Sequence, residues 1–402
     1  MKKQTLNFLT RYPLAVFMLI VFISGCTSFF AVQMLQSQLE QVVDQRFKEA
    51  YKTLGGEDVF GEPISGLVVN GRLEYQHYEN ASIMLDTMRP EGSQVILIPI
   101  GTHLNYHDPK PSNLTPDLAT IDGYISIPEF VEAYEQHGGA STFGTALTNV
   151  RFNRELNRLE QYFTYFGIYL GAGETEAQFL AYGKYSCAGK CGETEATSNE
   201  VVGAGLIPEP FYSTYRSIGS SLTGRLLNGP IPTPDGGMEM IFENLVMTIP
   251  SEGSSEVSIR HISYWLGYEP EPPTSNLNDP RVYFYYLQDN LGYNIVLPFV
   301  ETITRHGGFP VSGEPVMEGH KLAEGVYRQC FTKICLDYFV NASANLNVVP
   351  VDLGRDYFEQ KYGGELQPTL IPVGQDFDLV AYAHNPVIAN DQDQIIEASF
   401  HH

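Results

Sequence analysis

At 402 residues the chain is too long for one ordinary hydrophobic core and is sized for about two to four units. Its 43% apolar and 18% charged residues are those of a globular protein, which excludes disorder as its general state. A formal charge of −23, from 47 acidic against 24 basic side chains, repels phosphate backbones and excludes nucleic acid as a partner; it suits cations, basic partners or plain solubility outside the cell.

The N-terminus reads as an export signal. Lys2, Lys3 and Arg11 precede an apolar run from Leu14 to Ile23, followed by Ser24-Gly25-Cys26. "ISGC" resembles the lipobox of bacterial lipoproteins. That resemblance implies a diacylglyceryl group on Cys26, which becomes the mature N-terminus. A second reading stands beside it. The chain continues "TSFFAVQML", and Pro13 to Leu35 makes 23 mostly apolar residues, enough for an uncleaved membrane-spanning helix with Cys26 as an ordinary small residue. Residues 1–26 are thus a signal, or part of an anchor that runs to about residue 35. Under both readings the membrane is a partner through the N-terminus, and the rest of the chain faces outward because the positive charge stays inside. Val32, Leu35, Leu39 and Val42 step by three and four, so residues 27–45 form a helix, either a stalk or a seam for another helix.

From there a phrase recurs: "LGGEDVFG" (54–61), "HGGASTFG" (137–144), the worn "IGSSLTG" (218–224) and "HGGFPVSG" (306–313). Phe47, Phe130, Phe211 and Phe299 stand eight residues before Gly55, Gly138, Gly219 and Gly307. A second glycine follows at Gly61, Gly144, Gly224 and Gly313, and then an aromatic at Tyr78, Phe163, Phe242 and Phe331. Gln76, Gln161 and Gln329 precede that aromatic in three copies; Met240 takes the place in the other. Matched internal distances, recurring at 83, 81 and 88 residues, predict four tandem units over 46–106, 121–191, 205–268 and 290–357.

Within a unit, "FKEAYKTLGG" and "FVEAYEQHGG" put Phe and Tyr on one helical face and end at glycine, as helices do when the residue past the end is left-handed. Pro63 and Pro315 stop the helix from resuming. His137 and His306, just before the double glycine, suit the negative end of the helix. Asn70-Gly71 and Asp235-Gly236 predict type I′ hairpin turns, with Asn157 and Glu324-Gly325 in the corresponding places. Closing strands follow in "VILIPIG" (95–101), "VSIRHI" (257–262) and "NVVPVDLG" (347–354). The expected fold is α+β: four tandem units, each a short helix packed on a small antiparallel β-sheet, behind a membrane anchor and helix. Stretches rich in Pro, Ser, Asn and acid at 107–123, 192–200 and 269–280 read as linkers, giving a string or a compact pair of pairs. The tail, 358–402, breaks the period and reads as β-rich, a strand without a closing partner as in an incomplete domain.

The Gly-Gly…Phe-Gly-x-Pro phrase before an aromatic strand resembles poorly characterised repeats of bacterial surface proteins. More loosely, it is similar to the LGFP-type repeats of wall-associated proteins. The resemblance implies a role in holding enzymes or layers to the cell envelope, association without chemistry.

Apart from Cys26 the cysteines are an even set in an oxidising compartment, and the spacings "CAGKC" and "CFTKIC" favour bonds Cys187–Cys191 and Cys330–Cys335 over crossed pairs or a shared zinc site. Metalloprotease, nucleophile-elbow, P-loop and complete dinucleotide signatures are missing, so neither a catalytic residue nor a cofactor is expected. His103, His107 and Asp108 in "THLNYHD" have metal-ligand spacing, although an ordinary hydrogen-bonded loop has it too. The tyrosine clusters at 160–170 and 281–293 offer Tyr162, Tyr165, Tyr169, Tyr283, Tyr285 and Tyr286. Exposed, they are a platform for sugar rings; buried, they cover thin cores. The expectation is a membrane-anchored, extracytoplasmic, non-enzymatic repeat protein that binds envelope polymer or a surface layer. Its rivals are a structural subunit of a larger membrane or filament assembly, and an envelope hydrolase whose paired carboxylates are hidden among 47 acids.

Overall fold

The computed structural model describes residues 42–365 except 113, 115, 117, 188–190, 192–202, 252–253 and 343–345. Cys26 and the anchor, residues 27–41, the 192–200 stretch and residues 366–402 lie outside the described residues; residues 42–45 are not helical, and 358–362 of the tail read as β-rich belong to the helix Leu353–Tyr362. Among the described residues no helix is long and apolar enough to cross a membrane.

One succession of elements recurs along the chain. The first segment runs α1 (Lys48–Thr53), α2 (Glu57–Phe60), β1 (Val68–Asn70), β2 (Leu73–His77), β3 (Ser82–Asp86), β4 (Val95–Leu97) and α3 (Ile100–His103). The second opens on a hairpin, β5 (Thr120–Ile121) and β6 (Tyr124–Ile125), then α4 (Pro128–Gln136), α5 (Ala140–Phe143), β7 (Arg151–Asn153), β8 (Arg158–Tyr162), β9 (Gly167–Gly171), β10 (Gln178–Phe179) and α6 (Tyr182–Cys187). The third has α7 (Phe211–Ile218), α8 (Ser220–Thr223), β11 (Leu226–Pro232), β12 (Met238–Phe242), β13 (Val246–Ile249), β14 (Ser258–Ile259) and α9 (Ile262–Trp265). The fourth is prefaced by β15 (Thr274–Ser275), β16 (Val282–Gln288) and β17 (Leu291–Val296), then α10 (Leu297–Arg305), α11 (Phe309–Ser312), β18 (His320–Ala323), β19 (Val326–Cys330), β20 (Cys335–Phe339), β21 (Val348–Pro350) and α12 (Leu353–Tyr362). The four main sheets are antiparallel meanders in sequential strand order, so the fold is α+β.

Several local expectations are corrected. Among the described residues each segment has three helices, not one: the stretch between the motif glycines is itself a helical turn, and the closing strands shorten to two or three residues before a further helix. A four-residue helix is too short to show a hydrophobic period. At Asn70-Gly71 and Asp235-Gly236 only the glycine has positive φ, so the turns are not type I′, which needs both residues there. The 269–280 stretch is not a free linker, because β15 pairs with β17.

The motif glycines explain the recurring turn. Gly55, Gly138, Gly219 and Gly307 have φ of +110°, +95°, +95° and +105°, and Gly61, Gly144, Gly224 and Gly313 have +70°, +72°, +74° and +77°. A side chain at these values is strained, so glycine alone takes both corners of the one-turn helix. The four motif phenylalanines and the four later aromatics are all buried.

The glutamines tie each sheet to what precedes it. Gln76 Nε2 donates to the carbonyls of Val42 (3.0 Å) and Ser65 (2.9 Å). Gln161 does so to Ile125 (3.4 Å) and Thr148 (3.0 Å), and Gln329 to Asn294 (3.1 Å) and Met317 (2.9 Å). In each case the acceptors lie five residues before the motif Phe and four after the second glycine. Met240 cannot make this bridge, and Asn228, at the matching position of the third segment but inside β11, is buried with its side-chain amide unpaired among the described residues.

Segments pack in pairs by exchanging their last helices. Gly101 of α3 donates its N–H to Thr164 O at 2.9 Å, and Gly183 of α6 returns the contact to Glu79 O at 3.1 Å. Likewise Ser263 of α9 donates to Thr332 O at 3.3 Å, and Arg355 of α12 to Glu243 O at 3.0 Å. A Cβ at Gly101, Gly183 or Gly354 would lie 1.8, 1.6 or 1.9 Å from a carbonyl oxygen of the partner turn. One core joins segments one and two, another joins three and four, and the largest runs through all four. The molecule is therefore two halves around a shared centre.

Candidate functional site: an arginine-lined cavity between the halves

A cavity of about 770 Å³ opens where the halves meet. Its walls come from Tyr106, β7 and β8 on one side, and from the α8–β11 corner, the end of α10, β21 and the start of α12 on the other. Six of the chain's fourteen arginines line it: Arg151, Arg154, Arg158, Arg225, Arg305 and Arg355. Facing them are Glu155, Glu160, Glu243 and Asp352. The lining is thus net positive in a chain whose formal charge is −23.

Four of these arginines are paired. Arg158 Nε meets Glu160 Oε1 at 2.7 Å, both buried. Arg355 and Arg225 reach Glu243 Oε1 at 3.0 and 3.4 Å, and Arg225 also bridges to Glu155 at 2.9 Å across the halves. Arg154 spans the gap too, donating to Pro350 O at 2.6 Å and lying 3.5 Å from Asp352.

Arg151 is different. It faces Glu160 in the β7–β8 register, but that carboxylate is already occupied by Arg158, by the Tyr162 hydroxyl (2.7 Å) and by Asn153 Nδ2 (2.9 Å). The Arg151 guanidinium lies over the Tyr106 ring, 4.6 Å from its centroid, and its Nε and Nη1 are shut off from solvent without an acceptor. Burial opposes its charge, but the Tyr106 and Tyr162 phenols with Glu160 and Glu243 outweigh that and hold it protonated. Arg305, on the opposite wall, has neither a hydrogen bond nor an ion pair among the described residues. Burial lowers its pKa, and Glu301 and Asp108 only partly offset this.

The tyrosines expected on one exposed face do not share one. Tyr162 and Tyr169 are buried at 2% and 3% exposure, their hydroxyls on Glu160 and Gln178, so they offer no open ring face; Tyr162 lines the cavity instead. Burial, then Glu160, raises the Tyr162 phenol well above its ordinary value. Tyr165 is half-buried against Gly144, and Tyr285 against Phe309. Tyr283 and Tyr286 are exposed on β16 but stand three residues apart, on opposite faces of the strand.

The "THLNYHD" residues serve structure. Asp108 is fully buried and accepts from Ser221 N (2.8 Å), Asn149 N (2.9 Å) and Ser220 Oγ (3.1 Å), which fastens the halves together. Burial lowers His103 to about 4. His306 is buried, its pKa lowered by burial, and Nδ1 donates to Ile218 O at 2.6 Å; a neutral hydrogen bond replaces the expected charge at a helix end. His137 instead packs its ring 5.2 Å from Phe179. Cys187–Cys191 and Cys330–Cys335 are bonded as expected, which fits an oxidising compartment. His77 lies beside the first pair, and the disulfide removes both of those sulfurs as metal ligands.

The cavity arginines were missed in the sequence reading. One local signal was available: "RFNRELNR" (151–158) holds three of the fourteen arginines in eight residues of an acidic chain. The other three come from distant positions, and only folding unites them. No protein-family model matches this chain, and a search of curated proteins finds no match either.

Proposed function

We propose that the protein is a membrane-anchored, extracytoplasmic repeat protein that binds cell-envelope polymer and does no chemistry on it. In this reading the four segments are copies of one repeat, paired into halves, and the cavity between the halves receives the polymer. The observation that carries it is the cavity: it lies within the roughly 300–1,000 Å³ usual for ligand sites. It also lies at a junction of packed units, where such sites concentrate. Absence of chemistry is supported by the carboxylates in its wall. Glu160 and Glu243 are both held by guanidiniums, an arrangement that suits fixed electrostatics better than a pair trading protons with a sugar. Extracytoplasmic placement is supported by the two disulfides together with the sequence pattern of the N-terminus, read as a signal over 1–26 or as an anchor to about residue 35.

The test is sedimentation of the full-length protein, in mild detergent, with purified insoluble envelope polymer. Pelleting that saturates with polymer is expected. Protein wholly in the supernatant at both low and high salt overturns the reading.

A second reading, a structural subunit of a larger assembly, is favoured by one observation. The edge strand β16 exposes Tyr283, Tyr286 and Leu287, with Leu291 beside them on β17. A photo-crosslinking residue at position 286 would give one discrete adduct in cells under that reading, while the same residue at the still more exposed position 88 would give none.

A further inference from the structure

Resting on the polymer reading, we propose that the cavity is a seat for an anionic group on that polymer, a carboxylate or a phosphate, with Arg151 as its direct counter-charge and Arg305 as a second cation on the opposite wall. The argument is one of unsatisfied charge. A buried guanidinium needs acceptors, and one left without them is strongly destabilising. Arg151 has been denied its natural partner: the neighbouring strand supplies Glu160 opposite it, and Arg158, Tyr162 and Asn153 occupy that carboxylate first. Two of its nitrogens are sealed without acceptors, while Tyr106 supports its cationic face. Arg305, on α10 at the opposite cavity wall, has neither a hydrogen bond nor an ion pair among the described residues.

The remaining charges explain why the seat persists empty of protein carboxylates. Arg225 and Arg154 already span the halves through Glu155 and Asp352, and Arg355 pairs with Glu243 within the second half, which holds the walls in register. An entering anion therefore meets walls already fixed in place and is drawn by the uncompensated charge of Arg151 and Arg305. Neutral sugars gain none of this. The acidic outer surface repels a polyanion at long range, and in salt that repulsion fades beyond about 8–10 Å, so binding depends on local contact inside the cavity.

Calorimetric titration of the full-length protein in detergent tests the seat, with inorganic phosphate, D-glucuronate and D-glucose as probes. Binding of phosphate, glucuronate or both is expected, with no heat from glucose; which anion binds more tightly separates a phosphate-bearing polymer from a uronic one. Arg151→Gln weakens that binding at least tenfold and Arg305→Gln about threefold, whereas Arg281→Gln, at an exposed surface arginine, leaves it unchanged. Arg151→Lys keeps the charge and retains part of the affinity, which protects the test if the glutamine variant melts early. Equal affinity in wild type and both Arg151 variants, or silence from both anions, overturns the proposal. The same preparations are then sedimented with polymer. Polymer that still pellets the Arg151→Gln protein fully leaves the polymer reading standing and removes the anionic seat. Anion binding without any pelleting does the reverse.

Discussion

The two halves use one plan with different strictness. In the first, both docking helices carry glycine at the contact (Gly101 and Gly183) and both sheets carry the bridging glutamine (Gln76 and Gln161). In the second, one segment keeps Gly354 and Gln329 while the other has Ser263 and Met240. At Ser263 the exchanged hydrogen bond is 3.3 Å, and its hydroxyl is left buried and unpaired. What both halves keep without exception is the pair of positive-φ glycines and the buried aromatics. The backbone corner is thus the part of the plan that has no substitute; the polar bridge can be exchanged for apolar packing.

Acid should separate the halves most. His77 and His103 lie in the first half, and burial lowers both to about 4, against an ordinary value near 6.5. Both are held neutral in the fold, so the unfolded chain binds more protons between those values. Their stabilising effect is complete above pH 6.5 and is lost as pH falls towards 4, about 3 kcal/mol for each. His306 adds loss of the same sign in the second half, where the pKa is also lowered by burial. Hydrogen exchange from pH 7 to 4 should show first-half amides losing protection ahead of second-half ones. The opposite order would break the comparison.

Next in size is Gly183→Ala. Its Cβ would sit 1.6 Å from Tyr78 O, and a clash against backbone should cost about 4 kcal/mol in urea unfolding. A near-neutral result would mean that α6 does not dock on that turn. Gln161→Met, which copies the third segment, leaves the Thr148 and Ile125 carbonyls without their side-chain donor and should lower stability by about 2–3 kcal/mol. Replacing Cys330 and Cys335 together by alanine opens only a short loop, and the expected loss is about 2 kcal/mol in the same assay. Ser263→Gly is the smallest change: it removes an unpaired buried hydroxyl at the cost of chain flexibility, so its unfolding midpoint should move by less than about 0.5 kcal/mol.

Much of this was legible in one dimension because its causes are local. A left-handed corner demands glycine wherever it occurs, so four copies of the corner leave the same mark at matched distances. The cysteine spacings mark two short covalent loops for the same reason. Burial is another matter. Tyr162 and Tyr283 sit in equally tyrosine-rich runs, yet one is at 2% exposure and the other at 43%, because the Tyr106 and Tyr182 rings pack on Tyr162 whereas Tyr283 stands on an edge strand. Glycines 101, 183 and 354 gave no sign either, since the carbonyl that excludes a side chain belongs in each case to another segment. The cavity is the extreme case. Arg151, Arg225, Arg305 and Arg355 are separated by tens of residues and share no motif. Sequence alone determined the backbone corners, the cross-links and the acidic balance of the chain, all properties of neighbouring residues or of composition. Only the tertiary structure decided which arginines meet and which of them is left without a partner, because the acceptors for a buried charge are allotted in space, after the halves have closed.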